Sequence, residues 1–378
     1  MSEARNDGRV AGSSSPNGAY TLVEILSQPL CWHNVLSELE KGAVLKDVTR
    51  GFPDVKEWMF IGCGSSYYTA QSAAATMTAL TGKRAQAIAA SEVLLFPDAV
   101  LSARENFLPV LISRSGRTSE VLRAAELLRE RCIATLGIGC APGQPLETLV
   151  SRAIVLPSAD EQSTVMTRSF TSMLMTLQGL AATIAGRNDF LASQTTSVTK
   201  AAEEVLRTLP QRVSAFVNQH DFEDYVALGQ GALYGIACET ALKLTEMSVS
   251  YAQSFHTLEF RHGPKSIVSE ETLITFLLSE SGYAAEVEVL EEVKKLGGTT
   301  LVIANRADER ARAAADLLVE LNCDAPELAR LPLYLLAGQL MGLYTGLEKE
   351  LDPDNPRNLS RVVVLDEDSP EESTHAAI

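Results

Sequence analysis

The sequence is poor in cysteine, in histidine and in positive charge. Its six cysteines stand at 31, 63, 132, 140, 238 and 323, none in a CxxC pair and most within apolar segments. That excludes a disulfide framework and a cysteine-rich zinc site, and it reads as reduced core thiols in a cytoplasmic protein. The five histidines, at 33, 220, 256, 262 and 375, show no metal-ligand spacing, so no metal is expected. A formal net charge of −16 argues against a nucleic-acid partner. Against that background an anionic ligand needs donors placed locally. No apolar run approaches the roughly 18–20 residues that cross a bilayer, so no membrane association is expected. The polar, Gly/Ser-rich start has no apolar h-region, which argues against a signal peptide, and residues 1–18 read as a disordered tail. Gly62-Cys63-Gly64 lacks the third glycine of a dinucleotide fingerprint, and no cofactor is expected.

What the chain does have is the balance of a globular protein, 46% apolar and 21% charged, at a length that suits two domains. Short apolar runs alternate with segments of helical period. Strands are expected at Glu57–Gly62, Arg84–Ile88, Phe107–Ser113, Ile133–Gly139 and Ala153–Leu156, with helices at about Ser66–Thr81, Thr118–Arg131, Gln144–Ser151 and Ser169–Ala185. After a helical stretch from about Asp189 to Gln219, strands return at Tyr225–Leu228, Tyr251–Gln253, Leu273–Leu278, Thr299–Ala304 and Leu317–Leu321. A long helix, about Glu327–Glu350, and a tail ending in the apolar run Val362–Leu365 complete the chain. This alternation predicts the α/β class, with mostly parallel sheets sandwiched by helices.

The two halves look like copies. Gly229-Gln230-Gly231 follows Gly62-Cys63-Gly64 by 167 residues, and Glu259 follows Glu92 by the same interval. Ser279-Glu280-Ser281-Gly282 follows Ser113-Arg114-Ser115-Gly116 by 166. Three landmarks at nearly one offset point to internal duplication. The boundary is expected near residue 215, giving domains 19–214 and 215–352 and a tail, 353–378, closing the active site.

Two segments carry chemistry. Ser113-Arg114-Ser115-Gly116-Arg117-Thr118-Ser119 follows an apolar strand and opens a helix. Such a loop aims free amides and the positive end of a helix dipole at one spot. Its hydroxyls and arginines add donors, so it reads as a phosphate cradle rather than a plain helix cap. The Gly62–Ser66 turn, with Ser65 and Ser66, is expected beside it. In the duplicate loop Glu280 replaces Arg114, which predicts one phosphate site per chain, in the first domain. The second segment is Glu239-Thr-Ala-Leu-Lys243-Leu-Thr-Glu246, followed by Glu259-Phe-Arg-His262-Gly-Pro-Lys265-Ser266. Lys243 and Glu246 share a helix face, which is either a structural ion pair or a catalytic base with its counter-ion. His262 lies in a Gly-Pro-bounded turn. A carboxylate and an imidazole near a sugar phosphate suit proton transfer beside a carbonyl.

Together the GxGSS, SRSGRTSE, ETALKLTE and EFRHGPKS segments, with Asn355-Pro-Arg-Asn-Leu359 and the Glu24–Trp32 lead-in, resemble the sugar-isomerase (SIS) domain superfamily. The resemblance covers about residues 20–366. It is to the isomerase half of glucosamine-6-phosphate synthase and to standalone amino-sugar-6-phosphate deaminases, tagatose/galactosamine-6-phosphate isomerases and fructoselysine-6-phosphate deglycases. It implies two tandem flavodoxin-like domains. It also implies phosphate binding by Ser66, Ser113, Ser115 and Thr118, with Ser65, Arg114, Thr164 and Ser360 as further contacts. Glu246 becomes the enolisation base and Lys243 its charged neighbour. His262 becomes the ring opener, reaching the site of a partner subunit, which implies a homodimer. The synthase's glutaminase domain is not in this sequence, so the resemblance implies no use of glutamine by this chain alone. Arg361, the fourth candidate catalytic residue, stands where the synthase carries an imine-forming lysine; it stays protonated and cannot form an imine. The expected activity is therefore an isomerase or isomerising deaminase of a 6-phosphorylated amino sugar or ketosamine. A plain hexose-6-phosphate isomerase and a non-catalytic sugar-phosphate sensor are the alternatives.

Overall fold

A computed structural model of the chain describes residues 16–102 and 105–365. The apolar runs become ten strands: β1 Glu57–Gly62, β2 Arg84–Ala89, β3 Phe107–Ile112, β4 Leu136–Gly139, β5 Arg152–Val155, β6 Asp224–Gly229, β7 Ala252–His256, β8 Thr272–Leu277, β9 Thr299–Ala304 and β10 Leu317–Glu320. Strands β1, β3, β6, β8 and β9 are buried on both faces, which is why they read as continuous apolar runs rather than alternating ones. They form two five-stranded sheets, ordered β2-β1-β3-β4-β5 and β7-β6-β8-β9-β10. Every pairing is parallel. Both sheets thus have the flavodoxin-like order, and the chain is an α/β protein of two like sheets flanked by helices.

Some boundaries differ from the sequence reading. β4 starts at Leu136 rather than Ile133, because the chain first turns through Cys132 at φ 57°. β7 lies at Ala252–His256 rather than Tyr251–Gln253. It is an edge strand, polar and half buried, so its sequence carries little apolar signal. The stretch after Asp189 breaks into the helices Asn188–Ser193, Thr199–Leu206 and Leu209–Val217, with a π-helical turn at Gln194–Val198. The last helix is Leu331–Glu348, entered through a 3-10 turn at Glu327–Arg330.

Glycines set the close approaches that build the site. A Cβ on Gly62 would lie 2.6 Å from the Ser66 carbonyl carbon, and one on Gly229 would lie 2.5 Å from the Leu233 carbonyl oxygen. Each sheet's first strand therefore drives tightly into its following helix, at equivalent positions of the two copies. The Leu331–Glu348 helix presents Gly338, Gly342 and Gly346 to the Leu233–Ser248 helix. Cβ atoms there would meet Thr240 Oγ1, the Lys243 carbonyl and the Met247 carbonyl at 2.6, 2.7 and 2.2 Å. The two backbones touch along that glycine face, which fixes the helix that carries Glu239, Lys243 and Glu246.

The first described residues are tied to the segment after the last helix. Asp354 accepts from the amides of Tyr20 and Thr21, capping the Ala19–Leu26 helix, and Asp352 accepts from the amide of Gly18. Residues 17 and 18 are thus held against Leu351 and Asp352, while residues 1–15 of the expected tail lie outside the described residues.

Candidate active site

In a flavodoxin-like sheet the crevice for a ligand opens at the C-terminal edge, between the first and third strands, where the strand order reverses. Here β1 pairs with β3 up to Ile61↔Leu111, so the Gly62–Ser66 turn and the Ser113–Thr118 loop are neighbours at that edge. The Cys63 thiol and the first-turn carboxylate of Glu120 face the same gap. Burial and the Glu120 charge push the thiol up to about 11, so it is an inert thiol rather than a nucleophile.

The Ser113–Thr118 loop is open at its amides. Gly116 turns it at φ 64°, and a Cβ there would strike Gln144 at 2.6 Å, so only glycine fits. The hydroxyls of Ser113 and Thr118 lie 3.0 Å apart, and Ser115 Oγ accepts from the amide of Arg117 at 3.2 Å. Among the described residues nothing accepts from the amides of Arg114, Ser115 or Thr118. Nor does the buried Ser66 hydroxyl have a partner there. The Ser119–Glu130 helix adds the positive end of its dipole.

Arg114 does not point its charge into this loop. Its guanidinium is buried and donates to Glu161 Oε2 (3.3 Å) and to the carbonyls of Val165 (3.1 Å), Thr164 (2.8 Å) and Arg361 (3.0 Å). It is a clamp joining the loop to residues 160–167 and to the C-terminal segment. Arg117 is exposed. Thr164 contributes its carbonyl to Arg114 and its amide to Asp354 (3.0 Å). Arg361 pairs with Asp160 at 2.5 Å, and Ser360 Oγ donates to the Val362 carbonyl. The tail then crosses the first turn of the Ser119–Glu130 helix, where the Ser119 amide donates to the Val363 carbonyl and Leu365 donates to Ser119 Oγ. Residues 366–378 of the tail lie outside the described residues.

Sequence reasoning placed Thr164 of the 160–167 segment at the site but missed the buried acids there. The segment wraps two of them, Glu24 and Glu161. Glu161 accepts from Arg114, from the amides of Thr167 and Ser169, and from both their hydroxyls. Glu24 accepts from the amides of Gln162 and Ser163 and from Ser163 Oγ. Burial and the neighbouring Glu161 charge raise the Glu24 pKa. Glutamates 137 positions apart in sequence carry no joint signal.

The second half of the site comes from the Leu233–Ser248 helix, which packs on the Ser65–Thr81 helix through Gly235; a Cβ there would lie 2.6 Å from the Tyr68 carbonyl. This contact brings domain-two acids to domain-one hydroxyls. Ser65 Oγ donates to Glu239 Oε1 at 3.0 Å and accepts from Lys243 Nζ at 3.4 Å. Lys243 Nζ sits 3.2 Å from Glu239 and 2.5 Å from Glu246. Lys243 and Glu239 are fully buried, whereas the Glu246 side chain keeps 18% of its surface open. Burial works against the lysine's charge, but the two carboxylates outweigh it and raise the Lys243 pKa. Burial pushes Glu239 up to about 8, against the pull of Lys243. Near neutral pH the buried part of the cluster then approaches a charged Lys243 beside a protonated Glu239. The accessible carboxyl of the cluster is that of Glu246. Ser65 is thus a bridge between the domains rather than a free hydroxyl. His262 closes the 3-10 turn Glu259–Arg261 and is exposed. Among the described residues no cluster of three or more His, Cys, Asp or Glu is arranged to hold a metal ion, and no helix is long and apolar enough to cross a membrane.

A family profile described as SIS domain matches residues 52–183 and 224–343, one match over each sheet. The chain belongs to the SIS-domain family. The glutamine–fructose-6-phosphate aminotransferase [isomerizing] of Chlamydia abortus is 29% identical over 92% of this SIS chain, which spans 58% of that relative's length. The glucosamine-6-phosphate deaminase structure from Thermotoga maritima superposes with a TM-score of 0.76 at 28% identity, covering 92% of this chain and all of the other. The tagatose-6-phosphate ketose/aldose isomerase of Escherichia coli superposes at 0.80 with 21% identity, covering 93% and 98%, and shares the fold.

Proposed function

We propose that this SIS protein is an isomerase or isomerising deaminase of a 6-phosphorylated amino sugar or ketosamine, working by enolisation. One observation carries the reading: a solvent-reachable carboxylate, Glu246, is held at 2.5 Å by a buried lysine beside the sheet crevice whose loop offers open amides. A dianion in that loop accepts from the amides of Arg114, Ser115 and Thr118 and from the hydroxyls of Ser66, Ser113, Ser115 and Thr118. No arginine charge is needed for it. The other end of the sugar then lies toward Glu246. The open-chain aldehyde acidifies the C2 proton, which Glu246 takes as base, giving a 1-enol-2-amine. Returning the proton to C1 gives the C2 imine, and water hydrolyses the imine to ketose phosphate and ammonia. Lys243, 2.5 Å from Glu246, orients the base and stabilises the negative charge that develops beside it during the transfer. Arg361 is paired with Asp160 and offers no amine for an imine.

His262 serves as ring opener in the site of a second copy. Its exposure supports this, as do the exposed apolar Val249 and Tyr251 just before β7. The working unit is then a homodimer in the cytoplasm. The experiment is ammonia release from glucosamine- and galactosamine-6-phosphate, followed beside ketose formation from the corresponding plain hexose phosphates. Ammonia with ketose phosphate in equal amounts supports the deaminase. Isomerisation of plain hexose phosphates without any ammonia release replaces it with a simple aldose–ketose isomerase.

A further inference from the structure

Duplication left the chain with a second loop of the phosphate-binding kind, and this one is occupied. Ser279-Glu280-Ser281-Gly282 follows β8 and opens the Tyr283–Lys295 helix, as Ser113–Gly116 follows β3 and opens Ser119–Glu130. Glu280 and Ser281 stand where the first loop has Arg114 and Ser115. The Glu280 amide donates to Glu327 Oε1 at 2.5 Å and the Ser281 hydroxyl to Glu327 Oε2 at 3.3 Å. The amide and hydroxyl of Ser279 both donate to Glu286, at 2.6 and 2.8 Å. An independent feature points the same way. Arg330 is 2% exposed, its Nη1 donates to the Cys323 carbonyl at 3.0 Å, and its Nε has no partner among the described residues. Its Nη2 lies 2.5 Å from Glu280 Oε1, which also accepts from Asn305 Nδ2 at 3.2 Å. A buried guanidinium with an unused donor thus stands against the loop.

We propose that the Ser279–Gly282 loop is a second anion cradle, held shut by the chain's own Glu327 carboxylate at the position a phosphate takes. The two carboxylate oxygens meet an amide and a hydroxyl at a helix N-terminus, the donors that a phosphate monoester uses. Remove Glu327, and the ligand class that fits is inorganic phosphate or a phosphate monoester. Arg330 becomes its counter-ion once Glu280 is also neutral. The SIS chain therefore binds one phosphate per copy although it carries two cradles. The analogy rests on the first loop being the substrate's phosphate site, and the experiment keeps the two questions apart.

The test counts bound inorganic phosphate by equilibrium dialysis for the wild type, S115A, S281A, E280Q/E327A and E280Q/E327A/S281A. One phosphate per chain is expected in the wild type and two in E280Q/E327A, the second lost again with S281A. A folded E280Q/E327A that still binds one, or a wild type that binds two with S281A removing one, overturns the proposal. Should the double variant fail to fold, S115A/E327Q is compared with S115A alone. Inorganic phosphate is expected to raise the Tm of S115A/E327Q only, and equal responses overturn the proposal. A wild-type count that S115A leaves unchanged contradicts the first-loop reading instead, and the gain on removing Glu327 is scored separately from it.

Discussion

Lys243 is a fully buried cation answered by two acids, and that arrangement makes definite demands on the chain. Lys243→Met leaves Glu239 buried without its partner. A buried polar group left without its partner costs about 1–3 kcal/mol, so denaturant unfolding of this variant near neutral pH is expected to show a loss of that order. Glu239 gives the pH signature. Its folded pKa, about 8, lies above the unfolded value of 4.5. Between those values the folded state holds a proton that the unfolded state releases. Its contribution to stability is therefore full below about pH 4.5 and declines as pH rises toward 8. Unfolding at pH 5 and pH 8 is expected to show this decline in the wild type and a shallower one in Glu239→Gln. An equal decline in both contradicts the assignment. Lys243 and Glu246 were legible as neighbours because helix spacing alone puts them on one face. The bridge to Ser65 was not, since it joins residues 178 apart by tertiary packing.

At the scale of elements, two contacts position the site from outside it. Arg114 ties the Ser113–Thr118 loop to the 160–167 segment and the tail through three carbonyls and Glu161. Sequence reading gave this arginine to the phosphate, because a cation beside serines at a helix start suits an anion. The buried Glu161 that redirects it lies 47 residues further on. Arg114→Gln is expected to speed amide exchange across 160–167 and 353–365, and to cost about 1.5–3 kcal/mol, the range for hydrogen bonds to a charged group. Arg114→Lys is expected to restore little, since one ammonium cannot span the three carbonyls. Unchanged exchange in Arg114→Gln contradicts the clamp. The second contact is Gly342 against the Lys243 carbonyl, where a Cβ would approach to 2.7 Å. In an exposed helix Gly→Ala stabilises by about 1 kcal/mol. Here Gly342→Ala is expected to lower the Tm and the turnover together, because the helix bearing Glu246 must shift.

For the whole molecule, the strand positions and the duplication were largely legible because buried parallel strands advertise themselves as apolar runs. The GxG turns and serine loops then marked the same points on both sheets. The polar edge strand β7, the broken helical stretch after Asp189 and the Glu24–Glu161 nest were hidden, since each depends on what packs beside it. The central claim joins both halves of the molecule: a phosphate held by the first sheet presents its sugar to Glu246 of the second. The most direct measurement is solvent deuterium incorporation into a hexosamine-6-phosphate pool in D2O, read by NMR at C2 of the substrate and C1 of the ketose phosphate. The wild type is expected to incorporate deuterium and Glu246→Gln to do so at least about 100-fold more slowly, with phosphate binding retained. Turnover or binding by the wild type without any exchange, or exchange undiminished in Glu246→Gln, contradicts the account.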